Sequence, residues 1–249
     1  MTNKINIRGV NIDNVTLQEA TEICEKFINS DKLCAVFTPN SEIIQMCVEN
    51  PEYLPLINSA DLITPDGIGV VYASKILGTP LKCKTAGYDL GLEVVKLSNE
   101  KGYKIYFLGG KPGIAEAARD KLLENYPKAV FTGCHDGYFD KSDCPENDAV
   151  IDAINEAAPD VLYVCFGVPA QEKWIAANRD RLKTVKLCLA LGGSLDGYSG
   201  NVKRAPEIFI KLGLEWFYRL CKEPKRIGRM LKLPKFLFGT VIYKFKKNK

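Results

Sequence analysis

Histidine is almost missing from this chain: His135 is the only one. One imidazole makes neither a His-based metal site nor a nucleophile–His–acid triad convincing. Flanked by Asp136, Gly137 and Tyr138, it reads as a polar loop residue. No Asp-x-Asp occurs, so the carboxylate pair that often holds a metal-bound nucleotide in sugar transferases is missing. The expectation is no obligatory metal and no cofactor. No Cys-x-x-Cys occurs either. The nine cysteines are odd in number and scattered, which favours reduced, mostly buried thiols in a cytosolic protein over a disulfide framework or zinc site. Neither Gly-x-Gly-x-x-Gly nor Gly-x-x-x-x-Gly-Lys-Ser/Thr is found, which argues against a dinucleotide fingerprint or a P-loop. No run of about 18 apolar residues reads as a membrane span. The start, Met1 to Ile5, carries no apolar run of signal-peptide length.

What is present is ordinary in amount and uneven in placement. The 249 residues are 46% hydrophobic and 26% charged, enough for a substantial core. The net charge is only +4. Residues 203–249, however, hold 14 Lys and Arg against Glu207, Glu215 and Glu223, a local +11 that leaves residues 1–202 at −7. A basic tail on an acidic body predicts contact with a polyanion.

Short apolar runs alternate with amphipathic stretches, the pattern of βαβ units and a parallel sheet. Strands are predicted at 33–37, 62–63, 104–108, 129–134, 161–166 and 186–191. Thr16-Leu17-Gln18-Glu19 has capping-box form and opens a helix to about Asn29. Ser41 is expected to cap a helix that Pro51 ends. Further helices are expected at 67–77, from Gly87 to about Glu100, to about Asn125, at 146–157 and through Arg179. The predicted fold is α/β: a Rossmann-like, mostly parallel sheet with helices on both faces, spanning residues 1–200. A basic helical appendage, residues 201–249, follows. Within it, Ile208, Phe209, Leu212, Trp216 and Leu220 would form one helical stripe. Phe236–Phe245 suits a surface amphipathic element better than a core helix.

Phe37-Thr38-Pro39-Asn40 and Ile63-Thr64-Pro65-Asp66 place the same pattern at two strand tips 26 residues apart. In a strand–helix–strand unit both emerge at the carboxyl edge, where open α/β sheets bind ligands. Asp66 is a candidate general base; alternatively it caps the helix that follows. Thr38 and Asn40 are candidate substrate ligands, or caps and turn residues. Three glycine-bearing tips share the predicted edge: Gly109-Gly110, Gly167 and Gly192-Gly193. They leave room for a ligand lying across the sheet; the first lies at a helix start where backbone amides can meet phosphate, although its spacing alone favours a plain tight turn. Gln171 and Lys173 could reach such a ligand from the first turn after Gly167; alternatively Gln171, Glu172 and Lys173 form a solvated first turn, with Trp174 in the core. Asp136, Tyr138 and Asp196 complete the candidate substrate-binding set. Arg219, Arg226 and Arg229, spaced seven and three apart, suit phosphate better than lysine does.

Thr38-Pro39-Asn40-Ser41-Glu42, Thr64-Pro65-Asp66-Gly67, Ala86-Gly87-Tyr88-Asp89, Phe107-Leu108-Gly109-Gly110, Gly167-Val168-Pro169 with Gln171-Glu172-Lys173-Trp174, Gly192-Gly193-Ser194, and Lys203-Arg204-Ala205-Pro206 with Glu215-Trp216 and Arg219 occur in that order. Over nearly its whole length the chain resembles the WecG/TagA/CpsF glycosyltransferases, most of all the TagA branch. The resemblance implies an inverting transferase. It would move N-acetylmannosamine from a UDP-sugar donor to undecaprenyl-diphosphate-linked N-acetylglucosamine, in wall teichoic acid linkage-unit synthesis. It implies a peripheral enzyme on the inner face of the cell membrane. Asp66 then takes the general-base position, Thr38 and Asn40 line its pocket, and Arg219, Arg226 and Arg229 meet the acceptor diphosphate. Family members commonly carry Arg shortly before the Ala/Thr-Gly-x-Asp motif; here Lys84 stands in as a point charge.

Two alternatives remain at this level. One is a family transferase using UDP-N-acetylmannosaminuronic acid or another UDP-sugar. The other is a non-catalytic nucleic-acid-binding protein, disfavoured because no DNA- or RNA-binding motif accompanies the basic tail; no nucleic-acid partner is expected. An anionic membrane surface is the expected partner of the tail. Its apolar residues could equally join subunits, so a homo-oligomer is left open.

Overall fold

The computed structural model describes residues 2–211, 213–222, 228 and 232–247. An antiparallel hairpin comes first, β1 (Lys4–Ile7) and β2 (Val10–Asp13), then α1 (Leu17–Ile28), β3 (Cys34–Phe37), α2 (Ser41–Glu49), α3 (Tyr53–Asn58), β4 (Leu62–Ile63) and α4 (Ile68–Leu77). The second half runs α5 (Gly87–Lys101), β5 (Lys104–Gly109), α6 (Ile114–Asn125), β6 (Val130–His135), α7 (Pro145–Ala157), β7 (Val161–Cys165), α8 (Ala170–Asn178), β8 (Leu187–Ala190) and α9 (Ser194–Tyr198). Three helices close the described chain: α10 (Glu207–Lys211), α11 (Glu215–Lys222) and α12 (Lys232–Lys247).

Strands β3 to β8 form one six-stranded, all-parallel sheet in the order β4-β3-β8-β7-β5-β6. All six lie where the apolar runs predicted them. Because side chains alternate along a strand, the sheet feeds two cores. Ala35, Phe37, Leu162, Val164, Cys188 and Ala190 face one layer with α2, α4, α7 and α8. Val36, Val161, Tyr163, Leu187 and Leu189 face the other with α1, α5, α6 and α9. Five of the nine cysteines are buried and all nine are free thiols.

The predicted capping box at Thr16 and Glu19 forms, with the Thr16 side chain accepting from the Glu19 amide and the Glu19 side chain from the Thr16 amide. The cap of α2 differs from the prediction. Ser41 is already the first helical residue, and Asn40 caps instead, its Oδ1 accepting from the amides of Glu42 (2.9 Å) and Ile43 (3.1 Å). The hairpin is absent from the sequence reading, although Ile5, Ile7, Val10 and Ile12 around Arg8-Gly9 carry a two-residue-turn signal. Both turn residues have positive φ, 52° and 102°. Buried Asp13 pins the hairpin to the sheet by accepting from the Ile63 amide at 2.8 Å.

The stripe predicted through Ile208 and Trp216 is interrupted: α10 and α11 are separate, and Gly213 between them takes φ 70°. Ile208 is exposed, and Leu212 lies outside the described residues. The predicted surface element at 236–245 is half docked. α12 packs on α2 and α4 with Phe236 and Thr240 fully buried, while Phe238 and Phe245 remain 69% and 68% exposed.

Candidate active site

The two Thr-Pro tips meet as their spacing required. Beyond the β3–β4 ladder, the Thr64 amide donates to Phe37 O (3.0 Å) and the Asp66 amide to Pro39 O (3.3 Å). Asp66 is half-buried at the carboxyl edge. It is not the cap of α4; that position belongs to Gly67, at φ 84°, with no side-chain capping bond. A Cβ on Gly67 would stand 3.9 Å from the Asn40 Cβ, so Asn40 and the Asp66 tip are neighbours. Thr38 is nearly buried. Its hydroxyl donates to Ala190 O at 3.2 Å, and Gly87, at the start of α5, packs so tightly on it that a Cβ there would stand 2.7 Å from Oγ1. Asn40 and Thr38 therefore have the capping and tying duties set beside their ligand roles.

The loop carrying Lys84 is tied to the same tip, since the Thr85 amide donates to Pro65 O at 2.9 Å. Lys84 Nζ lies 3.4 Å from Glu215 Oε2, which brings α11 to the edge. Arg219 belongs to the same helix; its side chain, and all of Arg226 and Arg229, lie outside the described residues.

Across the sheet, the glycine tips behave differently from a phosphate cradle. The Gly110 amide donates to Cys165 O (3.2 Å), and the amides of Gly167 (3.2 Å) and Gly192 (2.9 Å) both donate to Gln171 Oε1. These three amides are engaged with the protein itself. Two of the three tips supply the expected space: nothing among the described residues lies within 4 Å of where a Cβ on Gly167 or Gly192 would be, whereas a Cβ on Gly109 would run into Cys165 O and one on Gly110 would meet the Ile114 side chain at 2.9 Å. Gly193 is exposed and would approach only the Asp196 carboxylate, at 3.7 Å. Gln171 is only 2% exposed, so it neither reaches ligand freely nor, with buried Glu172, belongs to a solvated first turn; Trp174 is buried as expected.

At the far end, the Gly137 amide donates to Gly110 O (2.8 Å), and Asp136 Oδ1 accepts from the Tyr138 amide (2.7 Å). Tyr138 is 68% exposed. Sequence reasoning missed the staple of this loop, Lys141. Its ammonium donates to Gly137 O and Phe139 O and lies 4.3 and 4.6 Å over the Phe139 and Phe166 rings; burial pulls its pKa down. His135, expected in a loop, is instead the last residue of β6, paired with Leu108; its Nδ1 lies 2.8 Å from Asp136 O. Also missed was Arg204. It donates to the Asp89 carboxylate at 2.7–2.8 Å and lies 4.6 Å over the Tyr88 ring, tying residues 201–206 to the start of α5.

The strand order thus sets out one row: Asp66, then Thr38 and Asn40, then Gly192, Gly193 and Asp196, then Gly167 over Gln171, then Gly109 and Gly110, then Asp136 and Tyr138. Six strands at about 4.8 Å spacing make this edge roughly 24 Å long. Two surface cavities of about 420 Å³ lie elsewhere and contain none of these residues, so strand-tip geometry and not cavity size locates the site. Among the described residues no three His, Cys, Asp or Glu side chains converge as metal ligands.

A carboxylate, a cation and a glycine-floored groove along a parallel-sheet edge are the parts of an α/β enzyme that handles an extended, anionic ligand. The chain belongs to the WecG/TagA/CpsF glycosyl transferase family, whose model matches residues 5–249. It is 36% identical over 239 residues to the N-acetylglucosaminyldiphosphoundecaprenol N-acetyl-beta-D-mannosaminyltransferase of Staphylococcus aureus strain MRSA252, covering 95% of this chain and 92% of that protein. It is equally 36% identical over 215 residues to the protein of that name from Bacillus spizizenii strain W23, covering 86% and 81%.

Proposed function

We propose that this chain moves N-acetylmannosamine from UDP to the C4 hydroxyl of N-acetylglucosamine carried on undecaprenyl diphosphate, inverting the anomeric centre. The observation that carries the catalytic assignment is the place of Asp66. It sits at the carboxyl edge outside the capping position of α4, and its tip is bonded to the loop of Lys84. Asp66 takes the proton of the acceptor hydroxyl as its oxygen attacks the anomeric carbon from the face opposite the nucleotide. The bond from that carbon to the diphosphate oxygen breaks, and its electron pair leaves with UDP. Lys84 and the arginines Arg219, Arg226 and Arg229 meet the charge that develops on the diphosphates. Thr38 and Asn40 line the sugar end of the groove, and Asp136 and Tyr138 the end remote from the chemistry.

Residues 201–249 act as the appendage that brings the site to an anionic membrane surface on the cytoplasmic side. Among the described residues no helix is long and apolar enough to cross a membrane. α12 instead presents Phe238, Val241, Ile242 and Phe245 outward, on the face opposite buried Phe236 and Thr240, with Lys235, Lys244 and Lys246 beside them. This composition suits a helix lying in a lipid interface.

The test is UDP release from UDP-N-acetylmannosamine with and without lipid-diphosphate N-acetylglucosamine, in the presence of EDTA. Wild type should release UDP only with acceptor, and Asp66→Ala should lower that rate by about 10² or more while still binding UDP. An undiminished rate in Asp66→Ala would remove the base assignment. No acceptor-dependent release by wild type would remove the donor–acceptor pair.

A further inference from the structure

The β7–β8 ladder ends at Val164 and Ala190. One more backbone bond, from the Leu191 amide to Val164 O at 3.2 Å, continues it; beyond that, among the described residues, a single side chain bridges the two glycine tips. Gln171 Oε1 accepts from the amides of both Gly167 and Gly192, while the Gln171 amide nitrogen of the backbone donates to Gly167 O at 3.1 Å. Two backbone N–H groups can point only at an oxygen, so they fix which way the Gln171 amide faces. Its Nε2 must then turn inward, away from the cleft, and there it donates to Glu172 Oε1 at 2.9 Å. Glu172 is 2% exposed. Its other oxygen is buried and has no hydrogen-bond partner among the described residues.

A buried carboxyl group with one oxygen unmatched is a costly residue to keep for packing alone. Around it stand Cys47 from α2 and the neighbouring Lys173, whose ammonium is turned 4.9 Å over the Tyr53 ring. The acceptor that Glu172 supplies is what keeps the buried Nε2 of Gln171 satisfied in this orientation. With the acceptor gone, the amide gains by leaving its place, and the two glycine tips lose their only described side-chain bridge.

We propose that Glu172 is a positioning residue of the donor site: through the Gln171 amide it holds Gly167 and Gly192 at a fixed separation, so that the groove floor is formed before the ligand arrives. Consistent with this, burial raises the Glu172 pKa above the ordinary glutamate range. A neutral carboxyl still offers the acceptor oxygen that Nε2 needs. The proposal deepens the function proposed above and rests on it only for the binding measurement.

The test has two readouts on the full chain: UDP affinity by calorimetry, and hydrogen exchange of the Gly167 and Gly192 amides without ligand. Glu172→Gln keeps an acceptor and should match wild type in both. Glu172→Met keeps the volume, removes the acceptor, and should weaken UDP binding by about tenfold or more while speeding exchange at both glycines. Glu172→Asp, which withdraws the carboxyl by one methylene, should do the same and serves if Glu172→Met does not fold. Gln171→Met should reproduce the defect, and the double variant Gln171→Met/Glu172→Met should be no worse than Gln171→Met, because residues acting through one contact are not additive. Additive losses, a Glu172→Gln as impaired as Glu172→Met, or unchanged exchange in Glu172→Met would each overturn the proposal. If wild type bound no UDP while the exchange pattern held, the donor reading would fall and the positioning role would stand.

Discussion

Lys84 and Glu215 form an ion pair at 3.4 Å across 131 residues of sequence, each about one-fifth exposed. The pair joins the loop behind the Asp66 tip to α11, so the appendage reaches the same end of the groove as the candidate base. A lysine in this position has three donors and can serve Glu215 and a phosphate together.

Removing that cation should therefore be felt in nucleotide binding. Lys84→Ala is expected to weaken UDP binding by about 10- to 100-fold, the worth of a charge-assisted hydrogen bond. Lys84→Arg is expected to retain it, since the guanidinium offers a bidentate fork to phosphate. Calorimetric titration with UDP checks both. Equal affinity in Lys84→Ala would place the donor diphosphate elsewhere along the edge.

Gly109 ends β5 at φ 136°, and a Cβ there would run into the Cys165 carbonyl on β7. The backbone conformation and the contact both exclude a side chain. Gly109→Ala should cost about 2–4 kcal/mol, combining overpacking with a strained φ. Urea unfolding measures it. A loss under about 0.5 kcal/mol, the range of an unremarkable surface change, would mean that the two tips separate easily.

Glu172 should leave a signature in the pH dependence of stability. Its pKa is raised on folding, so the folded state holds this proton more tightly than the unfolded chain does. The resulting stabilisation is complete below the ordinary glutamate range and is lost as pH rises through the folded-state value. Cys47, which faces it, is pushed up to about 11 and stays neutral over that window. Glu172→Gln should therefore gain stability relative to wild type as pH rises above the ordinary glutamate range, until the folded-state group has ionised. Parallel curves would show that Glu172 ionises normally.

The outward stripe on α12 should govern lipid binding separately from nucleotide binding. Phe238→Ser with Phe245→Ser removes the two most exposed phenylalanines of the helix without touching buried Phe236. Flotation with vesicles of phosphatidylglycerol should fall by at least about tenfold, given about 1.5–3 kcal/mol for burying each ring. Raised salt should weaken wild-type binding further, through the lysines. Unchanged flotation would point the stripe at a second protein surface instead.

Much of this architecture was legible before any coordinates. The run Lys104–Gly109 and most of its counterparts are short and apolar, with Gly or Pro close beyond the carboxyl end, so the strands identify themselves locally. The Thr-Pro repeat placed Asp66 and Asn40 on one edge because a right-handed crossover returns a parallel strand in the same direction. The cap at Asn40 was misassigned to Ser41 because the two side chains have similar capping chemistry and differ only in which reaches the second and third amides. The Gly213 break was hidden because the apolar stripe continues across it in sequence, while its φ of 70° and its close approach to Ile68, 2.9 Å from where a Cβ would be, exist only in the folded chain.

By itself the sequence determined the elements, the edge that carries the polar tips, and the charge contrast between body and tail; these follow from local periodicity, turn chemistry and composition. Only the tertiary structure decided the rest. It set β8 between β3 and β7, turned the glycine amides toward protein acceptors, gave Gln171 its two glycines and Glu172, and set Glu215 beside Lys84. These are choices among many chemically equivalent donors and acceptors. A hydrogen bond forms only within a few tenths of an ångström of its optimum, and residues distant in sequence reach that range only after both layers have packed on the sheet.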